Sequence, residues 1–188
     1  MRLFVAIEIS AHIRAAIASL LQEFRTIAPQ VKWVRPENLH LTLKFLGQAD
    51  PGKLGSIEHS LAAIHSAPPV TLDFTGLGFF PNAQRPRILW AAINSSRNLQ
   101  SIVSEIDGAL HLLGFPHDDR TFTPHLTLAR IQQQALPPKL IGTIAQNSSR
   151  CFGSCEAREF HLIESKLKPA GAEYTTLQSF SFVAEARR

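Results

Sequence analysis

The first apolar pattern along the chain is a short strand followed by a helix. Residues 2–7 are mostly apolar and β-prone, which predicts a strand. Beyond Ser10, which can cap a helix, apolar residues recur every three or four positions up to residue 27. These positions are Ile13, Ile17, Leu20, Leu21, Phe24 and Ile27. The sequence therefore predicts a strand and then an amphipathic helix.

The second half of the chain repeats this order. Residues 87–92 again read as a strand, and a second helical pattern follows, which Gly114 ends. Its apolar positions are Leu99, Ile102, Val103, Ile106, Leu110 and Leu113. The tetrapeptide His-Leu-Thr-Leu occurs at residues 40–43 and again at residues 125–128, an offset of 85 residues. At the same offset Arg2, Ala6 and Ser10 recur as Arg87, Ala91 and Ser95. A constant offset indicates that one supersecondary unit was used twice.

Further elements complete the predicted fold. Asp50 and Pro51 start a helix that ends near Ile64, and a weaker counterpart begins at Pro137. Apolar, β-prone residues predict strands at 70–79, 159–164 and 177–184, while residues 81–87 and 115–124 read as loops. We therefore predict an α+β fold in which residues 1–188 form one bilobal domain of two interleaved, pseudo-symmetric repeats. Each lobe has an antiparallel sheet backed by helices, and the active-site cleft lies between the lobes.

Composition narrows the class of protein but not its function. Hydrophobic residues make up 45% and charged residues 18% of the chain, which is typical of a globular protein. The net charge of +4 suits an anionic partner such as RNA or a nucleotide, yet from charge alone a basic surface without that role is the favoured explanation, because no Lys/Arg run is present.

The subcellular location is predicted from the cysteine content and from the lack of a signal-peptide or membrane-spanning pattern. Cys151 and Cys155 have neither the second ligand pair of a zinc site nor the spacing of a redox motif, so we expect reduced thiols. The apolar stretch at residues 3–7 is shorter than a signal-peptide core, and no run of 18 apolar residues exists. These features predict a cytoplasmic protein that contacts no membrane.

The repeated tetrapeptide carries the candidate chemistry. Alternate residues of a strand share a face, so His40 and Thr42 point one way while Leu41 and Leu43 point the other. The second motif repeats this with His125 and Thr127. If helices bury the Leu faces, both His/Thr faces are left to a cleft.

Two histidines that meet in a cleft suit an in-line displacement at phosphorus. One imidazole takes a proton from the attacking oxygen and the other gives one to the leaving oxygen, since a histidine pKa near 6.5 allows both forms at neutral pH. Threonine hydroxyls can donate to the nonbridging oxygens. A metal site is the alternative, but two histidines without a nearby carboxylate or cysteine leave a divalent metal short of ligands.

The other six histidines carry weaker signals. Those in predicted helices are expected to be structural, and the remaining two could serve either purpose. The helical ones are His12, His59, His65 and His111, and the open ones are His117 and His161.

Two His-x-Thr-x motifs half a chain apart resemble those of the two-histidine (2H) phosphoesterase superfamily. The surrounding residues are similar to its RNA 2′,3′-cyclic phosphodiesterases, historically called 2′-5′ RNA ligases. The resemblance covers essentially the whole chain, through residues 2–7, 33–47, 86–90, 122–130, 162–165 and Tyr174.

The resemblance implies a bilobal enzyme that needs neither a metal nor any other cofactor, and we expect it to act as a monomer. Its substrate would be RNA, or a nucleotide, that ends in a 2′,3′-cyclic phosphate, and its product a 2′-phosphate. By position in the motifs, His40 carries over as the proton donor to the departing 3′ oxygen and His125 as the proton acceptor that activates water. Thr42 and Thr127 would hold the phosphate.

Several neighbouring residues are secondary candidates. Arg130 could bind the phosphate, but strict alternation places it on the other face of the strand from His125. A bulge or a strand end is therefore required to bring it to the His125 face. Lys44 shares the His40 face and is a second phosphate candidate, whereas Phe45 is expected in the core. Surface positions are the alternative for Arg130 and Lys44.

Trp33 and Phe122 flank the motif strands, where they could stack a base or, as we favour, cover the lobe edges.

Two other functions remain open at this point. The same histidines would catalyse the reverse reaction, which joins RNA ends through a 2′-5′ linkage; without a Gly-rich phosphate-binding loop, hydrolysis in water should dominate. A noncatalytic RNA-binding module is the other alternative, but it would need neither acid–base group, and both are intact.

Overall fold

The computed structural model describes residues 1–65, 69–132, 135–169 and 171–182. It contains nine strands and four α-helices in these ranges. The strands are β1 (Arg2–Glu8), β2 (Lys32–Trp33), β3 (His40–Gln48), β4 (Val70–Phe80), β5 (Ile88–Ser95), β6 (His125–Arg130), β7 (Cys151–Ala157), β8 (Glu159–Lys168) and β9 (Gly171–Ser181). The helices are α1 (Ala11–Ile27), α2 (Leu54–Ala62), α3 (Asn98–His111) and α4 (Pro138–Gln146).

The predicted helices are confirmed, with two local differences. Ser10 precedes α1, but its hydroxyl contacts His12 Nδ1 at 3.1 Å and makes no side-chain cap. His65 lies beyond the end of α2 and is exposed, so its predicted helical position is wrong. Gly114 follows α3 with a φ of +90°, a left-handed conformation that ends the helix as expected.

The strands extend further than apolar clustering predicted. β8 and β9 form a long hairpin, and β7 is a strand that we did not predict. In β7, small and polar residues dilute the apolar alternation, which hides the strand from a periodicity argument. The predicted strand 177–184 overlaps β9, and its last two residues lie outside the described residues.

One continuous antiparallel sheet curls into a half-barrel, and the two predicted sheets are its halves. The strand order is β7-β4-β5-β6-β3-β1-β8-β9, with β2 paired to β6. The motif strands β3 and β6 are central neighbours, joined where Leu41 lies opposite Leu126. β1, β8 and β9 extend the sheet on the β3 side, and β5, β4 and β7 extend it on the β6 side. The division of residues 1–188 into two repeats stays a prediction.

The register shows how the halves correspond. Thr42 lies opposite Ala6 of β1, and Thr127 lies opposite Trp90 of β5. The partner strands are therefore related by 84 residues, although the motifs are related by 85. The match of Ala6 to Ala91 in the sequence is thus one residue out of register. A shift of one residue in a strand moves every side chain to the other face.

The helices cover one face of the sheet and bury the hydrophobic core. Leu41, Leu43, Leu126 and Leu128 point into this core and are almost fully buried. We call this the helix face, and the opposite face, inside the half-barrel, the cleft face. The helices exchange between the halves, because α1 contacts β7 and α4 whereas α3 contacts β3 and α2. Among the described residues, no helix is long and apolar enough to cross a membrane.

Candidate active site

His40 and His125 occupy equivalent places at the first residues of β3 and β6. His40 Nδ1 lies 2.7 Å from the carbonyl oxygen of Asn38, and His125 Nδ1 lies 2.8 Å from that of Thr123. A carbonyl oxygen only accepts hydrogen bonds, so Nδ1 carries a proton in both rings. When either ring is neutral, its Nε2 holds a lone pair, and when the ring is protonated, Nε2 is a donor.

The central ladder brings the two motifs together. With Leu41 opposite Leu126 in antiparallel register, His40 comes next to Thr127, and Thr42 comes next to His125. All four side chains are only partly buried and lie on the cleft face. The structure therefore places both His/Thr pairs in one compact patch, made by two neighbouring strands.

Arg130 lies on the same face because β6 contains a bulge. The pairing with β5 shifts between Trp90–Thr127 and Leu89–Ala129, which leaves Leu128 as the extra residue. Leu128 and Ala129 are both buried, and alternation then resumes so that Arg130 is exposed. The bulge that the sequence argument required for Arg130 is present.

The matching bulge in β3 corrects two predictions. The pairing with β1 shifts between Ala6–Thr42 and Val5–Lys44, so Leu43 is the extra residue. Lys44 consequently points to the helix face and is only 2% exposed, so it is not a phosphate neighbour of His40. Phe45 was expected in the core, but it lies on the cleft face with 57% of its surface exposed.

The surroundings of His40 favour its neutral form. Burial, the largest cause, lowers the pKa of His40 to about 4, against an ordinary value of 6.5. The positive charges of Arg130 and Arg14 lower it further, while the Asn38 carbonyl and Glu8 raise it. Sequence reasoning had no signal for this shift, because burial depends on packing between distant strands.

Aromatic rings surround both histidines. The ring of His40 lies 4.8 Å from that of Phe4 and 5.3 Å from that of Tyr174, between centroids. The ring of His125 lies edge-on to Phe80, with a centroid distance of 5.0 Å. Phe4 and Phe80 were not singled out from the sequence, although alternation along β1 places Phe4 on the face of Ala6 and Glu8.

A cavity of about 170 Å³ opens beside His40. Its lining includes Glu8, Arg14, Asn38 and Tyr174. Arg14 donates to the carbonyl oxygens of Pro36 at 2.8 Å, Ile9 at 3.3 Å and Leu39 at 3.4 Å. This guanidinium holds the segment before β3, which includes the Asn38 carbonyl that orients His40.

Three other candidates from the sequence, His161, Trp33 and Phe122, pack against neighbouring parts of the protein. His161 is 6% exposed and contacts Ser179 Oγ at 2.9 Å, which favours a structural role. Trp33 donates to the Ala28 carbonyl at 2.8 Å and packs against the core, and Phe122 is also half-buried there. Within the described ranges, no group of three or more His, Cys, Asp or Glu side chains is arranged to hold a metal ion.

The sequence matches the family described as LigT-like phosphoesterase at residues 7–90 and 92–174. Among similar curated proteins, the RNA 2′,3′-cyclic phosphodiesterase of Archaeoglobus fulgidus is 36% identical over 180 residues, which covers 96% of this chain and 99% of that protein. The protein of the same name from Methanocaldococcus jannaschii is also 36% identical, over 96% of this chain and 100% of its own length.

Solved structures show the same fold. TT0787 of Thermus thermophilus superposes with a TM-score of 0.80 at 31% identity, over 99% of this chain and 100% of that one. LigT of E. coli, in complex with 3′-AMP, superposes with a TM-score of 0.79 at 26% identity, over 97% of this chain and 98% of that one.

Proposed function

Because this chain belongs to the LigT-like phosphoesterase family of 2H phosphoesterases, we propose that it hydrolyses the 2′,3′-cyclic phosphodiester at an RNA or nucleotide end to a 2′-phosphomonoester. The observation that carries this proposal is the central pair of motif strands. Each offers one histidine whose Nδ1 is committed to a backbone carbonyl, next to a threonine of the other motif.

In the proposed reaction, Nε2 of His125 accepts a proton from water as the water oxygen attacks phosphorus. The bond from phosphorus to the 3′ oxygen breaks on the opposite side, and Nε2 of His40 donates a proton to that oxygen. The 2′ oxygen keeps its bond to phosphorus, so the product is a 2′-phosphate. Because the protons move between imidazoles, water and the sugar oxygen, the scheme needs no metal ion.

Three side chains are proposed to bind the phosphate. The hydroxyls of Thr42 and Thr127 donate to the nonbridging oxygens from the positions next to the histidines. Arg130 supplies the positive charge, since the bulge in β6 brings it to the cleft face. The exposed ring of Phe45 on the same face offers a surface on which a base can stack.

The low pKa of His40 fits a proton donor that is charged only with substrate bound. In the free protein at neutral pH, a pKa of about 4 leaves this ring mostly neutral. A phosphate anion next to the imidazole stabilises its protonated form and raises its pKa. Binding of the anionic substrate would therefore favour protonation of His40, which is the proton donor that the reaction needs.

Joining of RNA ends through a 2′-5′ linkage would use the same site and the same leaving 3′ oxygen, with a different nucleophile. A 5′ hydroxyl would then replace water beside His125. We propose this as a minor activity, because water is present in large excess. Action as a monomer and a cytoplasmic location also stay predictions; the first is supported by both histidines coming from one chain.

The test is to incubate the protein and a chelator with a short RNA that ends in a 2′,3′-cyclic phosphate. Phosphorus NMR distinguishes a 2′-phosphate from a 3′-phosphate product. We expect complete conversion to the 2′-phosphate, with the same RNA carrying a linear 3′-phosphate left unchanged as the control. A 3′-phosphate product, or turnover only after a metal is added back, would overturn the scheme. RNA binding without turnover would instead support a noncatalytic module.

A further inference from the structure

The strand that carries the first motif also holds a buried cation. Lys44 Nζ points into the helix face, where it pairs with Asp107 of α3. It also donates to the carbonyl oxygen of Pro116 at 2.8 Å and lies 3.6 Å from Asp118 Oδ2. A lysine this deeply buried needs such partners, because an unpaired ammonium is costly to remove from water. None of these groups takes part in the proposed hydrolysis.

The partners of Lys44 fasten the start of the loop after α3. Asp107 accepts a hydrogen bond from the backbone N–H of Asp118 at 3.3 Å, and it also pairs with His117 Nδ1. The ring of His117 stacks on that of His111, with 3.7 Å between centroids. Asp107 and Lys44 therefore fix residues 116–118 between α3 and β3.

This loop leads directly into the second motif. Only residues 119–124 separate Asp118 from His125, and most of them are exposed. Thr123 belongs to this stretch, and its carbonyl oxygen orients the ring of His125. The position of that carbonyl thus depends on where the loop is fastened. Lys44 follows Thr42 closely on the strand of His40, so one ammonium links the first motif strand to the segment before the second histidine.

In the first half of the chain, arginines hold the segment that precedes His40. Arg14 donates to the carbonyls of Pro36 and Leu39 in the segment before His40, and Arg25 donates to the carbonyl of Val34 at 2.8 Å. In each half, a cation on a neighbouring element thus holds the carbonyls of the connection that precedes the histidine. On β6, the position that matches Lys44 is the uncharged Ala129.

We propose that Lys44 is a positioning residue, which acts through Asp107 and the loop at residues 115–124 to place the Thr123 carbonyl and His125 relative to His40. The electrostatics agree with this geometry. Burial alone would raise the pKa of Asp107, but hydrogen bonds from Lys44 and His117 lower it to about 2, so the carboxylate stays charged. The kinetic part of the proposal rests on the proposed hydrolysis, whereas the structural part does not.

The kinetic test compares Lys44→Met with Lys44→Arg and a matched control, Lys53→Met. Lys53 donates to the Leu113 carbonyl at 2.8 Å and lies over the Phe115 ring near the same loop, but unlike Lys44 it is exposed. We expect Lys44→Met to lower kcat by about 10- to 100-fold with KM changed less than about threefold, since misplacing a reacting group is costly to rate. Lys44→Arg should recover most of this loss, and Lys53→Met should stay within about twofold of wild type.

Amide hydrogen exchange supplies a readout that does not need activity. The backbone N–H of Asp118, which donates to Asp107, should exchange at least about tenfold faster in Lys44→Met, but not in Lys53→Met, while α1 and β1 keep their protection. If Lys44→Met is too unstable, Asp107→Asn removes the carboxylate and should give the same pattern. A folded Lys44→Met protein with unchanged kcat and exchange would overturn the proposal. A wild-type protein without hydrolase activity would overturn the proposed function, and the exchange data would still decide the role of Lys44.

Discussion

His40 and His125 each make the same kind of hydrogen bond, from Nδ1 to a backbone carbonyl oxygen, but the side chains around the two rings differ. His40 lies against Phe4 and Tyr174, near the positive charges of Arg130 and Arg14, and its pKa falls to about 4. Folding therefore keeps this ring neutral at a pH where the unfolded chain would already bind a proton. The consequence is a contribution to stability that depends on pH.

The free energy of unfolding should fall as the pH drops from 6.5 to 4. In this window the unfolded chain protonates His40 and the folded protein does not, so acid favours unfolding. Relative to His40→Asn, which lacks the group, wild type should lose up to about 3 kcal/mol between pH 7 and pH 4. Urea unfolding at several pH values measures this difference. Exposed His59→Asn is the control, and parallel curves for wild type and His40→Asn would contradict the pKa shift.

Some residues of the site could be predicted from the sequence and others could not. His40, Thr42, His125 and Thr127 could be placed on one face because strict alternation holds within each tetrapeptide. Lys44 could not, because the extra residue Leu43 inverts the faces of Lys44 and Phe45. Periodicity does not reveal which residue of a strand is the extra one in a bulge.

At the scale of elements, β4 and β5 support His125 from the side. Gly78 lies opposite Trp90, and the indole packs directly over it. The ring of Trp90 lies 5.0 Å from that of Phe80, which in turn contacts His125. Because Gly78 has no side chain, Trp90 has room to lie against Phe80, and Phe80 lies against His125.

Gly78→Ala should destabilise the protein. A Cβ at this position would lie 2.4 Å from Trp90 Cζ2, so the indole has to move. We expect a loss of about 1–3 kcal/mol in the free energy of unfolding, as for other overpacked sites. Gly142→Ala in α4 is the control, because its Cβ meets nothing within 4 Å and alanine favours a helix by about 0.5–1 kcal/mol. Equal stability of Gly78→Ala and wild type, measured in urea, would contradict the packing described.

At the scale of the whole molecule, each half depends on the other. α1, from the first half of the chain, contacts β7 and α4, while α3, from the second half, contacts β3 and α2. The apolar spacing of these helices predicts which face of each helix is buried, but not which half of the sheet covers it. The repeated apolar spacing is therefore visible in the sequence, whereas the exchange of helices between the two halves is not. The exchange, together with the ladder between β3 and β6, holds the two motifs in one rigid patch.

The central claim is that His40 and His125 act together as the proton donor and acceptor of one hydrolytic step. The most direct measurement is the single-turnover rate of 2′,3′-cyclic phosphate opening, with a chelator present, for His40→Ala, His125→Ala and the double variant. Each single substitution should lower the rate by about 10²- to 10⁴-fold, and the double variant should be little slower than the slower single one, because the two groups work as a unit. A rate above about a tenth of wild type in either folded single variant would contradict the claim.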